Sequence, residues 1–145
     1  LELRLSELGG SAIVEALDGR AAGRASFEPQ DSAQATYAAK LSKTEARLDW
    51  REGAAALERR VRALNPRPVA ETTIDGAQLR IFESRVVAAS PGPVPGTILS
   101  AGAEGIVVMT GDQALALTRV QLPGRRAVSA AELANSRPLS GRVLA

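Results

Sequence analysis

Lys40, Lys43, Arg47, Arg51, Arg59, Arg62 and Arg67 crowd into one stretch of the chain, and Arg80 follows between Leu79 and Ile81. Cations at this density hold phosphate through charge-assisted hydrogen bonds and do so without reading bases. Each alone also reads as an ordinary solvated side chain; as a set they describe a surface that tracks a polynucleotide backbone. Both Lys of the protein lie in this stretch, and coding bias is a second explanation for the preponderance of Arg elsewhere.

Other chemistries find little to work with. The sequence has no His, the residue most often used for proton transfer near neutrality, and no Cys for a thiolate, a disulfide or a soft metal site. Asp49, Glu52, Asp75, Glu83, Glu104, Asp112 and Glu132 are scattered over turns and solvent faces, with no two spaced to meet on one element. No glycine-rich phosphate loop occurs. We therefore assign no catalytic residue and no metal ligand. Tyr37 and Trp50, the only Tyr and the only Trp, read either as bases' stacking partners or as anchors tying a linker to a core. The aromatic platform of a sequence-reading RNA domain is missing.

The elements that must position the cations follow from hydrophobic period and turn chemistry. Leu1, Leu5, Leu8, Ile13 and Leu17 predict an amphipathic helix or helix pair interrupted at Gly9-Gly10, either packed on the domain that follows or closing a preceding one. Residues 19–34 have linker composition, and in the stretch that follows Ser42-x-x-Glu45 is a capping box that starts a helical turn at Lys43. Leu57, Val61 and Leu64 make the stripe of a helix over 53–64 that Asn65-Pro66 ends. Period two then takes over: strands over 71–74 and 78–86 flank a two-residue Asp75-Gly76 hairpin. Ser90-Pro91-Gly92-Pro93 opens a loop, strands resume over 97–99, 106–110 and 114–120, and Ser129-x-x-Glu132 caps a short helix over 130–135. The last ten residues read as a flexible tail.

Five short strands with small helices leave sheet edges that closure would remove, so the expected fold is mainly β with short helices. We expect a small Greek-key β-barrel of the oligonucleotide-binding type, preceded by a helix and a linker; a barrel of another connectivity fits the periodicity equally. Charge divides the chain as well. Residues 1–39 carry three Arg against six carboxylates, net −3, and residues 40–145 carry +5. No apolar run approaches the ~20 residues that cross a bilayer and no secretory signal is present, so a cytoplasmic monomer is expected.

The run Gln34-Ala35-Thr36-Tyr37-Ala38-Ala39-Lys40-Leu41-Ser42-Lys43-Thr44-Glu45-Ala46-Arg47-Leu48-Asp49-Trp50 resembles the linker of the bacterial methionyl-tRNA formyltransferase family. Arg62-Ala63-Leu64-Asn65-Pro66-x-Pro68, Gly96-Thr97-Ile98-Leu99, Gly105-Ile106-Val107-Val108, Gly111-Asp112 and Gln121-Leu122-Pro123-Gly124 continue the likeness. It implies residues 1–23 as the terminal helix of a Rossmann-like catalytic domain otherwise missing here, 24–48 as linker and 49–145 as the C-terminal barrel. The start at Leu1 rather than Met agrees with a fragment. The resemblance also implies a parent that transfers a formyl group from 10-formyltetrahydrofolate to methionyl initiator tRNA, with no cofactor held in this chain. Lys40 and Lys43 would then meet the tRNA backbone, and Arg62, Arg67, Arg80 and Arg85 are further candidates. Arg67 stands where the family usually has Trp, which frees that turn to meet RNA more directly, and Gln113 replaces a usual Gly, which favours a longer turn. A sugar-nucleotide formyltransferase or formyltetrahydrofolate hydrolase as parent, or a non-catalytic interaction domain, are the alternatives.

Overall fold

The computed structural model describes residues 2–90, 92 and 94–145, so Leu1, Pro91 and Pro93 of the expected helix and loop lie outside the described residues. The chain divides into two compact units, 1–39 and 40–145. The boundary coincides with the change in charge sign.

In the first unit, helix α1 (Glu2–Ala21) runs without a break through Gly9-Gly10, contrary to the expected interruption. Each Gly costs a helix interior only ~1 kcal/mol, which the flanking Leu and Glu residues tolerate. Its Leu5, Leu8, Ile13, Val14 and Leu17 are exposed. A 3-10 turn over Ser32–Gln34 is capped by Asp31, whose carboxylate accepts from the Ala33 N–H at 2.9 Å.

The second unit opens with a 3-10 turn over Thr44–Ala46, where the capping-box spacing predicted a helical turn. Half of the box is made: the Ser42 N–H donates to Glu45 Oε1 at 2.8 Å and holds that carboxyl below its ordinary pKa. Helix α2 (Ala54–Leu64) buries Leu57, Val61 and Leu64 as their spacing requires. Strands β1 (Ala70–Ile74) and β2 (Ala77–Val87) meet at Asp75-Gly76, both with positive φ (51° and 78°), the backbone that a two-residue hairpin demands. Strands β3 (Ile98–Gly102), β4 (Gly105–Met109), β5 (Ala114–Gln121) and β6 (Val128–Ser129) follow. Helix α3 (Ala130–Ser136) closes the set, with Ser129 Oγ accepting from the Glu132 N–H at 3.1 Å.

The six strands form one antiparallel sheet in the order β1-β2-β5-β4-β3, with β6 added to β5. The sheet is open: β1 and β3 are its two ends and do not pair with one another, which overturns the barrel expected from the sequence. The edge argument failed because other segments cover the edges. Leu48 donates its N–H to Glu71 O (2.9 Å) and Ala145 exchanges two backbone hydrogen bonds with Thr73, both on β1. Ile98 of β3 exchanges hydrogen bonds with Arg142 and Gly141, and the Leu144 N–H donates to Gly96 O. The C-terminal segment is therefore ordered rather than a flexible tail, and its Leu139 and Leu144 are buried in the core. That core lies under α2 and α3, around Leu79 and Ile81 of β2 and the doubly covered stretch Ala114–Leu117 of β5.

One irregularity shapes the outer surface of β2. Ile81 pairs with Val120 and Glu83 with Arg119, so Phe82 is an extra residue with no partner on β5. Such a bulge re-aims the side chain it carries.

Candidate nucleic-acid interface

Period two places Gln78, Arg80 and Phe82 on the outer face of β2, opposite the fully buried Leu79 and Ile81. Beside them on β1, Glu71 pairs directly with Arg80 in register. These four side chains form the floor of a cleft of about 830 Å³. One wall is the segment that carries Lys40, Leu41, Lys43 and Ala46; the other is the turn Pro66-Arg67-Pro68-Val69 that ends α2.

Both walls are fixed to the sheet. Leu48 hydrogen-bonds the β1 edge, and Trp50, 4% exposed, packs in the core with its indole N–H donating to Thr72 Oγ1 at 3.0 Å. Of the two aromatic candidates, Trp50 is thus an anchor, whereas Tyr37 in the first unit is 94% exposed. On the opposite wall Val69 has φ 71°, a left-handed conformation that a β-branched residue adopts only under constraint. Its N–H is held by Leu64 O at 2.8 Å. Asn65 Nδ2 reaches across to the carbonyl of Phe82 at 3.0 Å, so turn and bulge are coupled.

Lys40, Lys43, Arg67 and Arg80 are all exposed, and among the described residues none of them is ion-paired. The one carboxylate lining the cleft, Glu71, already accepts from the Gln78 side-chain amide. Four cations against one occupied carboxylate repel each other, and an incoming polyanion relieves that repulsion.

The other two candidates lie apart from the cleft. Arg62 is tied to Glu58 on α2 at 2.7 Å, and Arg85 to Glu104 at 2.6 Å. Arg51 is likewise engaged by Asp49, whose carboxyl it pulls down to about 2. Arg47 and Arg59 line no part of the cleft. Sequence reasoning missed Phe82 and Gln78, although their alternation with Leu79 and Ile81 put them on the face of Arg80; nothing local signalled the bulge.

The cleft offers binding groups but no nucleophile beside a base. Among the described residues no cluster of His, Cys, Asp or Glu suits a metal ion, and no helix is long and apolar enough to cross a membrane.

Residues 40–138 match the formyl transferase, C-terminal domain, family. The chain belongs to that family. The matched span begins at Lys40, where the second compact unit begins. Among curated relatives, methionyl-tRNA formyltransferase of Pseudomonas putida strain GB-1 is 49% identical over 134 residues, 92% of this chain and 43% of that protein. The enzyme of the same description from Methylococcus capsulatus is 45% identical over 141 residues, 97% of this chain and 46% of the relative. The chain thus spans less than half the length of these relatives. Among solved structures, HypX from Aquifex aeolicus in complex with tetrahydrofolic acid aligns with a TM-score of 0.67 over 90% of this chain and 24% of that one. At 20% identity this likeness concerns the fold alone.

Proposed function

We propose that this chain is the RNA-holding C-terminal part of a methionyl-tRNA formyltransferase, whose catalytic domain transfers a formyl group from 10-formyltetrahydrofolate to methionyl initiator tRNA. The observation that carries the reading is the cleft: Lys40, Lys43, Arg67 and Arg80, unpaired among the described residues, converge on the outer face of β1 and β2. The curated relatives at 45–49% identity support this reading and weigh against a sugar-nucleotide or hydrolase parent. In this reading the cleft grips phosphates of the tRNA and so orients the acceptor end toward the catalytic domain, while 1–23 belongs to that domain and 24–48 is the linker. The protein works as a cytoplasmic monomer.

The test is tRNA binding by this chain at two salt concentrations, for wild type and for Lys40→Ala/Lys43→Ala. Removing one cation from a phosphate lowers the salt slope by roughly one and weakens binding for all sequences alike. We expect steep salt dependence in the wild type and a slope shallower by about one to two in the double variant. No binding at low salt overturns the reading.

A further inference from the structure

A backbone-tracking surface has no use for an aromatic ring, yet this cleft has one in its floor. Phe82 is the extra residue of the β2 bulge, half-buried and lining the cleft beside Arg80. Arg119 of β5 lies over its ring, 5.9 Å from the centroid, and Asn65 holds its carbonyl. Leu41, Pro66 and Pro68 complete an apolar strip along the walls. Cleft chemistry is therefore mixed: a fixed ring and rigid apolar walls, flanked by four exposed cations.

A base-paired stem offers such a cleft phosphates, sugars and base edges but no base face, because the faces are stacked away. An unpaired nucleotide offers both a flat apolar base and the phosphates on either side of it. We propose that the cleft seats one unpaired nucleotide of the bound RNA, with its base stacked on Phe82 and its flanking phosphates held by Lys40, Lys43, Arg67 and Arg80. Gln78 edges the same floor. One N–H of its amide donates to Glu71, which leaves the second N–H and the amide oxygen to meet a base or ribose. The proposal rests on the cleft being the RNA-binding surface and adds which part of the RNA enters it.

The experiment uses this chain and two short RNA hairpins, identical except that one carries a single unpaired 2-aminopurine in its stem and the other is fully paired. The wild type binds the hairpin with the unpaired nucleotide about 5- to 10-fold more tightly, and 2-aminopurine emission falls on binding as the base stacks. Phe82→Leu, which keeps apolar volume without the ring, loses that preference and the quenching. Equal binding of both hairpins by the wild type, or quenching that persists in Phe82→Leu, overturns the proposal and leaves the backbone reading intact. If the variant folds poorly, absence of an emission change in the wild type still overturns the proposal. Absence of binding to either hairpin at low salt overturns both readings together.

Discussion

Asp112 lies in the turn between β4 and β5, and its work is done 58 residues away, at the start of α2. Gly53 precedes α2 and has no side chain to cap it, so Asp112 Oδ1 accepts from the Ala54 N–H at 2.8 Å. Gly111 makes the approach possible: its N–H donates to Glu52 O, and a Cβ there would collide with the Arg51 carbonyl. The Gly111-Asp112 pair of the family motif is thus a helix cap delivered by a hairpin. The hydrogen bond from Ala54 holds the Asp112 carboxyl below its ordinary 3.8. A lowered folded pKa means stability that is complete above the unfolded value and lost as pH falls through the folded one. Asp112→Ala should lower the melting temperature at neutral pH, and the deficit against wild type should shrink below pH about 4; a deficit that grows in acid would contradict the cap. At Trp50 the ring matters more than its N–H. Trp50→Ala should cost about 3–5 kcal/mol in urea denaturation and Trp50→Phe only about 0.5–1.5 kcal/mol.

At the scale of elements, what was legible in the sequence was local. The Leu57, Val61, Leu64 stripe, the Asp75-Gly76 turn and the Ser129 cap each depend on residues within one or two turns of chain, and each forms where its pattern lies. What was not legible depends on distant partners. The C-terminal segment carries no periodicity of its own because its order comes from two sheet edges, Thr73 on β1 and Gly96 and Ile98 beside β3. The barrel was expected for the same reason: edges seen in sequence cannot reveal that residues 47–48 and 141–145 cover them. Half of the cleft was legible too. Type and crowding put the cleft's four cations among the basic residues of the sequence but did not separate them from Arg47, Arg51, Arg59 and Arg62, whereas Phe82 needed the bulge, which a register between strands creates. Leu144→Ala should cost about 2–5 kcal/mol by losing a buried side chain, and removal of 139–145 should expose both edges and promote self-association, read by light scattering. A truncated protein that stays monomeric with an unchanged melting temperature would contradict this role.

On the scale of the whole molecule, charge, compactness and the family match all change character at Lys40. The acidic first unit carries exposed leucines on α1, and the basic second unit carries the core and the cleft. Residues 40–145 alone should therefore unfold cooperatively with the melting temperature of the full chain, a result that calorimetry checks directly. Neither form should transfer a formyl group when given 10-formyltetrahydrofolate and charged tRNA, since the chain has no His and its cleft holds no nucleophile beside a base. The central claim is that RNA is held by the unpaired cations of the cleft and not by positive charge in general. Its most direct test compares the salt dependence of tRNA binding for wild type, for Lys40→Ala/Lys43→Ala/Arg67→Ala/Arg80→Ala, and for Arg62→Ala/Arg85→Ala. The account predicts a slope shallower by about three and affinity down by at least ~100-fold in the cleft variant, with the Arg62/Arg85 variant within about threefold of wild type. Equal losses in the two variants would contradict it.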